Sequence, residues 1–416
     1  MSTEPTTLSP IKSRVKAQAR AQGLTGPATP TRYGFILAIA AQIMMMIGAS
    51  APSPFYPALA QRLGFDATMI TTVFAVYAVA LMLALLTAGS LSDHLGRRPV
   101  IIAGFLLLAV SMILFWNAGS VMVLILARLV QGLASGLLIS ALSAAVLDLA
   151  PRSRPGIAAI WNALCPGIGL SLGAFLSGIA LDAAPDALVA VFAPLTVAYL
   201  AIAVLFFSVP ETAPRLPGAW ASLSFRLSLP AGIRTDFWRS APAIVAGWAT
   251  GGLFLSLGAS IVRGELGGTA HFWQGLSVAL LAGTGAVTAL IIRHRSPRTI
   301  TIFGTAALAL GTALSLFALT LTSLPAYLIA VAVTGMGFGT AFFGVVGTLA
   351  PRIPATARAD TFAAIFLLAY LAFGIPAVVA GLLVTPLGLG TVCLGYGAVV
   401  ITLSLFALVL RLRRAA

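Results

Sequence analysis

Arg128 is the residue whose position most directly suggests chemistry, because it lies inside an apolar run at 121–149. Gln131 follows three residues later, which places both side chains on one face of a helix. Burying a guanidinium in an apolar segment costs several kcal/mol unless it faces protein or a water-filled cavity. We predict that both residues face the interior. Counted at about 1.5 Å per residue from the ends of their predicted helices, Arg128 and Gln42 come within a few Å of the same depth in a membrane core of about 30 Å. Arg128 either makes a structural contact with Gln42 or a carbonyl, or handles substrate and protons.

A second group of polar residues lies in the segment 89–99, which reads GSLSDHLGRRP between two apolar runs. Asp93 can face the positive N-terminal end of a neighbouring helix. Arg97 and Arg98 can each pair with an acid, and Asp148, at the end of the 121–149 run, is a candidate partner. The segment is therefore predicted to be a short, charged turn held against the ends of adjacent helices.

Composition decides what kind of elements position these residues. Of the 416 residues, 60% are hydrophobic and only 8% are charged, against about 25% charged in soluble domains. A soluble enzyme, a disordered chain and a secreted disulfide scaffold are thereby excluded. Cys165 and Cys393 lie in apolar runs and suggest no disulfide, and the three histidines are too scattered to form a metal site. The sequence predicts an all-α integral membrane protein.

Twelve apolar runs are each long enough for a membrane-spanning helix, which needs about 20 residues. They lie at 33–52, 69–88, 99–117, 121–149, 156–181, 187–208, 241–261, 271–292, 299–320, 325–350, 361–384 and 390–410. The predicted units are a mobile cytoplasmic tail 1–32, a six-helix bundle 33–208, a cytoplasmic linker 209–240, a second bundle 241–410 and a basic tail 411–416. The tetrapeptide LAPR occurs at both 149–152 and 349–352, which indicates two related halves.

The net charge of +14 reports membrane orientation. With the N-terminus inside, 21 of the 24 Lys and Arg residues lie on the side of the tails and linker, and only Arg62 and Arg263 lie in the outer loops. Basic residues accumulate in cytoplasmic loops. We therefore predict a multi-pass membrane protein with both termini cytoplasmic and no nucleic-acid partner. The expected location is a bacterial plasma (inner) membrane.

The 89–99 segment resembles the signature loop of the major facilitator superfamily, G-x-L-x-D-x-x-G-R-R, and RLVQG at 128–132 resembles its R-x-x-Q-G motif. The resemblance implies two pseudo-symmetric six-helix bundles that alternate access to a central site. It also implies a conformational latch between the halves. The latch residues would be Gly89, Asp93, Gly96, Arg97, Arg98 and Asp148.

Two further likenesses to this family are partial. Residues 169–178 fit the antiporter motif G-x-x-x-G-P-x-x-G-G except that Ala174 replaces the proline and Ser177 replaces a glycine. The proline-rich segment 52–57 resembles a motif of drug-efflux members, and it fits a helix ended by prolines equally well.

The family resemblance implies a central cavity between helices 1, 4, 7 and 10, with contributions from 2, 5, 8 and 11. The polar and aromatic candidates on these helices are Gln42, Tyr77, Arg128, Gln131, Asn162, Trp248, Gln274, Phe343 and Tyr370. None of the ten acids lies clearly in mid-membrane, which argues against strongly cationic substrates.

The lysines are confined to Lys12 and Lys16 in the tail, so the chain has no Walker A loop. We predict a monomeric secondary transporter without a cofactor or metal, which exports neutral, amphipathic or anionic small molecules in exchange for protons. The alternatives are a metabolite importer or uniporter and, less favoured, a membrane receptor or scaffold. No acid, base and nucleophile are arranged to suggest an enzyme.

Overall fold

A computed structural model describes residues 31–413, except 214–215, 219, 221–222, 224–228 and 355–356. Of the two predicted tails, residues 1–30 and 414–416 lie outside the described residues.

The described part of the chain is helical, and twelve of its helices are long and apolar enough to cross a membrane, which confirms the predicted fold class. These helices are α1 (Arg32–Ser50), α2 (Ala67–Ala88), α3 (Arg97–Trp116), α4 (Val121–Asp148), α5 (Ile157–Ala183), α6 (Ala187–Leu205), α7 (Ala231–Gly264), α8 (His271–Ile292), α9 (Pro297–Thr320), α10 (Leu324–Leu349), α11 (Arg358–Leu387) and α12 (Leu389–Leu412). Two short helices, Tyr56–Leu63 and Leu91–Leu95, follow α1 and α2.

The two halves repeat the same packing. In the first, α1 contacts α4, α5 and α6, while α2 packs on α4 and α3 packs on α6. In the second, α7 contacts α10, α11 and α12, while α8 packs on α10 and α9 packs on α12. The bundles meet along two further helix pairs, α2 with α11 and α5 with α8. These two pairs are equivalent, because moving six helices along the chain converts one pair into the other. Adding six to a helix number therefore maps one bundle onto the other.

Glycines allow close approach between equivalent helix pairs of the two bundles. A Cβ on Gly132 of α4 would lie 2.5 Å from the carbonyl oxygen of Tyr77 in α2. A Cβ on Gly339 of α10 would lie 2.5 Å from the backbone of Gly285 in α8. Small residues let helix backbones approach closely, so the glycine-rich stretch of α10 serves helix packing.

Two helix ends differ from the sequence prediction. α7 begins at Ala231, so the last ten residues predicted as linker are helical, because Ile233 and Phe237 are buried while Arg234 stays exposed. α12 continues to Leu412, and Arg411 is buried rather than part of a tail, with Nη2 donating to the hydroxyl of Ser240 at 2.7 Å.

We call the membrane face with the central linker and the loops after α2, α4, α8 and α10 the linker face. The opposite face is called the distal face.

Candidate functional site

Arg128 is fully enclosed within the first bundle, with no exposed surface. Its Nε donates to the hydroxyl of Tyr56 at 2.8 Å, and Nη2 donates to the same hydroxyl. Its Nη1 donates to the carbonyl oxygen of Ala49 at 3.3 Å and to Oε1 of Gln131 at 2.6 Å. Gln131 in turn donates to the carbonyl oxygen of Gly48 at 2.7 Å. The pair therefore ties α4 to the distal end of α1.

Aromatic rings surround the guanidinium of Arg128, and none of its partners among the described residues is an acid. Its Cζ lies 5.4 Å from the ring centre of Tyr56, 5.2 Å from that of Tyr77 and 5.4 Å from that of Phe115. Cation–π contacts stabilise a desolvated guanidinium by about 2 kcal/mol. Tyr56 and Phe115 were not among the predicted site residues. The proline-rich segment around Tyr56 predicted the end of a helix and gave no sign that the hydroxyl contacts Arg128.

The predicted proximity of Arg128 and Gln42 is wrong. Arg128 contacts α1 at Ala49, seven residues beyond Gln42, which is about 10 Å along a helix. The prediction measured depth from the start of α4. That helix has 28 residues and is about 42 Å long, so it extends beyond a membrane core of about 30 Å. Gln42 remains buried, and its Oε1 has no hydrogen-bond partner among the described residues. The alternative structural contact, to a carbonyl, is present.

The other aromatic candidates converge at the contact between the bundles. The ring of Trp248 in α7 lies 4.9 Å from Tyr370 and 5.6 Å from Phe373, both in α11. Phe373 lies 4.9 Å from Phe74 of α2 in the other bundle. The α10 residue that contacts Trp248 is Phe342, at 5.4 Å. The predicted residue, its neighbour Phe343, makes no described ring contact, because one residue rotates a helical side chain by about 100°.

Tyr77 links the two groups. Its ring faces Arg128 on one side, and it packs in the same buried cluster as Tyr370 and Phe373. We call Phe74, Tyr77, Trp248, Phe342, Tyr370 and Phe373 the aromatic cluster. Arg128 therefore contacts the aromatic cluster directly, through the ring of Tyr77.

Two predicted site residues lie elsewhere. Asn162 of α5 donates to the carbonyl oxygen of Ser143 at 3.1 Å and so joins α5 to α4 within the first bundle. Gln274 of α8 is fully buried three residues from the distal start of its helix, and neither of its amide atoms has a described partner.

The predicted latch residues pack at the linker face. Arg97 forms an ion pair with Asp93, and its Nε lies 3.4 Å from Oδ2 of Asp148. Its Nη1 also donates to the hydroxyl of Ser92 at 2.7 Å. Asp93 was expected to face the start of a neighbouring helix, but its described side-chain partner is Arg97. The described partners of Asp93, Arg97 and Arg98 belong to the first bundle or to residues 207–217.

The start of α3 is capped instead by Glu211, a residue of the predicted linker. Its carboxylate accepts hydrogen bonds from the backbone N–H groups of Arg97 at 2.8 Å and Arg98 at 3.2 Å. Gly96 makes this possible, because its φ of +111° suits glycine and a Cβ there would lie 2.3 Å from Oε2 of Glu211. A carboxylate at a helix N-terminus is favourable. The sequence signal for the contact of Glu211 with the start of α3 is weak. It consists of a single acid in the short segment that follows α6.

Gly89, the remaining predicted latch residue, lies directly after α2 and makes its described approach only to Leu85 of the same helix.

Hydrogen bonds between the bundles lie from mid-membrane to the distal face in the described part of the chain. Ser171 donates to the carbonyl oxygen of Ala279 at 3.0 Å in the middle of α5 and α8. Ser53 donates to the carbonyl oxygen of Leu255 at 2.8 Å near the distal face. At that face, Arg263 donates to Oε1 of Gln61 at 3.2 Å. The distal face is therefore closed, and the described latch contacts do not cross to the second bundle.

Two pseudo-symmetric six-helix bundles, closed on one face over a buried aromatic interface, define a polytopic membrane transporter. The family model for the Major Facilitator Superfamily matches residues 38–377. The chain belongs to this superfamily, as its loop and helix motifs implied.

Individual relatives are more distant. The chain is 26% identical over 134 residues to the quinolone resistance protein NorA of Staphylococcus aureus, a match that covers 30% of this chain and 34% of NorA. It is 27% identical over 138 residues to an MFS-type transporter of Methanocaldococcus jannaschii, covering 33% of this chain and 36% of that one. The chain thus matches about a third of the length of these relatives.

Solved structures of the same fold cover nearly the whole chain. The inward-open xylose transporter XylE from E. coli superposes with a TM-score of 0.72 at 14% identity, over 89% of this chain and 94% of that chain. A POT family transporter in complex with a thioalcohol-conjugated peptide gives 0.71 at 17% identity, over 91% and 96%. At these identities the likeness shows the fold alone.

Proposed function

We propose that this transporter exports neutral, amphipathic or anionic organic compounds across a bacterial plasma membrane in exchange for protons, with both termini in the cytoplasm. The observation that carries the proposal is the aromatic cluster at the contact between the bundles, backed by the buried charge of Arg128.

The cluster suits flat, apolar groups. Its rings come from α2, α7, α10 and α11, so they separate and approach as the two bundles move relative to each other. Aromatic pairs contribute about 0.5–1.5 kcal/mol beyond the area that they bury. A substrate ring that replaces the contact of Phe74 with Phe373 recovers that energy, which makes an exchange between closed interface and bound substrate feasible.

Charge decides which flat molecules are preferred. The guanidinium of Arg128 contacts the cluster through the ring of Tyr77. The described carboxylates lie towards the two faces: Asp66, Asp182, Asp186 and Glu265 at the distal face, and Asp93, Asp148, Glu211, Asp236 and Asp360 at the linker face. An anion therefore gains attraction in a medium of low dielectric constant, whereas a cation meets repulsion without a nearby countercharge.

Efflux is favoured over uptake by the partial match to NorA, whose name describes resistance. The distribution of basic residues supports a cytoplasmic position for the linker face. In that orientation, the distal-closed arrangement offers the site to cytoplasmic compounds. Because the sequence contains no Walker A loop, this chain by itself would drive transport with a gradient and not with ATP. We propose that the gradient is one of protons.

The role of the cluster is tested by truncating Trp248 in purified transporter reconstituted into proteoliposomes. Trp248→Ala is expected to lower the initial rate of transport of a fluorescent anionic aromatic compound by about tenfold, the equivalent of roughly 1.4 kcal/mol.

The matched control is Trp238→Ala, because Trp238 lies ten residues earlier in α7 and its side chain is 60% exposed. This control should transport at the parent rate. Equal rates for the two variants would contradict a substrate-binding role for the cluster.

A further inference from the structure

The distal start of α8 lacks a cap from its own chain segment. Its N-cap residue is Ala270, whose side chain makes no hydrogen bond. Four of the other five helices that start at the distal face are capped by the residue before them, and these caps are Asp66 for α2, Ser120 for α4, Asp186 for α6 and Ser323 for α10. The fifth, α12, follows Gly388 and has no side-chain cap.

The missing cap comes from the other bundle. Asp182, at the distal end of α5, accepts hydrogen bonds from the backbone N–H groups of His271 at 2.9 Å and Phe272 at 2.7 Å. Side-chain caps satisfy N–H groups that have no partner within the helix. The first turn of α8 therefore has its described cap only while α5 and α8 are together.

The imidazole of His271 adds a titratable contact to this cap. Its Nδ1 lies 2.8 Å from Oδ1 of Asp182, and the two side chains are 24% and 33% exposed. Imidazole exchanges a proton within the physiological pH range. Hydrogen bonds between two ionised groups are stronger than those between neutral ones.

The contact lies at a place where the bundles must separate if the distal face is to open. A Cβ on Gly178 of α5 would lie 2.8 Å from the carbonyl oxygen of His271. One turn further into α8, Gly275 packs still more closely on α5, since a Cβ there would lie 2.4 Å from the carbonyl oxygen of Ala174. The cap cannot survive a separation of these two helices.

Other charged groups on the surrounding elements have different positions or partners. On the first bundle these are Arg62 and Asp186, which line a surface groove of about 350 Å³ beside the end of α5. On the second bundle they are Arg263, which contacts Gln61, and Glu265, which lies against Gly390 of α12. Within the described residues, the ion pair of Asp182 is with His271.

We infer that Asp182 is a positioning residue that holds the distal face closed by capping α8 across the bundle interface, and that protonation of His271 strengthens this closure. The inference rests on the proposed alternating-access cycle. Acidity on the distal side then favours the distal-closed state, because the charged imidazole attracts the carboxylate that caps α8. Since both side chains are partly exposed while the face is closed, the proton exchanges with the distal solution. It regulates the cycle and is not itself carried across.

Opening is measured by the modification of Val278→Cys with a membrane-impermeant thiol reagent added from the distal side. Val278 is 1% exposed at the bundle interface in α8, so its thiol reacts only when the distal face opens. The native Cys165 and Cys393 are buried and are replaced by alanine. Gly119→Cys, at an exposed distal position, gives the rate of an open thiol at each pH and normalises the intrinsic pH dependence of thiol chemistry.

Asp182→Ala is expected to raise the normalised modification rate about tenfold at pH 7.5, which matches the loss of one helix cap. In the parent protein, lowering the distal pH from about 7.5 to about 5.5 should lower the normalised rate. His271→Ala should abolish that pH dependence, because the carboxylate can still accept from the backbone N–H groups. Asp186→Ala is the matched control, since Asp186 caps α6 within its own bundle. It should leave the rate unchanged.

If Asp182→Ala folds poorly, Asp182→Asn, which retains one acceptor oxygen, should give an intermediate rate. A parent-like rate in both variants would overturn the inference, and a pH dependence that persists in His271→Ala would overturn the part played by protonation. The assay requires no substrate. Altered opening without transport of aromatic anions would therefore contradict the proposed substrate class and leave the role of Asp182 standing.

Discussion

The hydroxyl of Tyr56 accepts a hydrogen bond from Nε of Arg128 at 2.8 Å, in a site where both residues are fully buried. This contact joins the segment after α1 to the middle of the first bundle. It explains how an arginine is tolerated in an apolar helix, because four donor contacts and three aromatic rings replace water around the guanidinium.

Removal of that hydroxyl should destabilise the first bundle. Tyr56→Phe leaves two N–H groups of a buried guanidinium without their acceptor, at a cost of about 1–3 kcal/mol. Thermal unfolding in detergent should show a lower Tm. The control is Tyr33→Phe, since Tyr33 is 50% exposed and its loss should leave Tm within about a degree. Identical Tm values would contradict the anchoring role of Tyr56.

Charge and shape at Arg128 can be separated by two substitutions. Arg128→Lys keeps a positive charge but loses the planar set of donors, so we expect a lower Tm with preference for anionic substrates retained. Arg128→Met removes the charge and should abolish that preference in a transport competition assay between anionic and neutral aromatic compounds. An anion preference that survives in Arg128→Met would show that the charge has no part in selection.

Gly96 is expected to be intolerant of a side chain for two additive reasons. Gly96→Ala meets the cost of a positive φ, about 1–2 kcal/mol, and displaces the carboxylate of Glu211 from the start of α3. Gly388→Ala is the matched control, because Gly388 also precedes a helix, with φ 81° and ψ 151° against 111° and 148° at Gly96, but a Cβ there meets no atom within 4 Å.

The fall in Tm should therefore be larger for Gly96→Ala than for Gly388→Ala. Combining Gly96→Ala with Glu211→Ala should recover part of the difference. Equal losses in the two single variants would mean that Glu211 does not stabilise the start of α3.

Helix contact in the second bundle depends on Gly339. Gly339→Ala places a methyl group 2.5 Å from Gly285, so α8 and α10 must move apart, and overpacking of this kind costs about 1–3 kcal/mol. Gly395→Ala in α12 meets nothing within 4 Å and should keep or raise Tm. The Tm values of the two variants are compared in the same detergent. A Tm of Gly339→Ala equal to that of the parent would show that α8 and α10 can move apart without loss of stability.

The sequence was most informative where one physical rule dominates. Membrane thickness and helix rise determined twelve spans, and the repeated LAPR segment indicated the two halves. Helix ends were less predictable at α7, because residues Ala231–Ser240 are amphipathic and the apolar run begins only afterwards. Burial of Phe237 becomes visible only when α7 is packed against the other helices.

The site was predicted less completely, because its contacts join residues far apart in the chain. Arg128 and Gln131 stood out as polar residues in an apolar helix. Tyr56, Glu211 and Asp182 act on partners at least 72 residues away, and no local pattern specifies those partners. Depth estimates from helix ends also failed for Gln42, since α4 is longer than the membrane core is thick.

The proposed transport reaction is the exchange of protons for flat, non-cationic organic compounds. The direct measurement is uptake of a fluorescent anionic aromatic compound into proteoliposomes with and without an imposed pH gradient, alongside a quaternary ammonium dye. We predict that the gradient drives accumulation of the anion at several times the gradient-free level, while the quaternary dye is transported far more slowly. Transport that is indifferent to the gradient would favour a uniporter, and preferential transport of the quaternary dye would contradict the role assigned to Arg128.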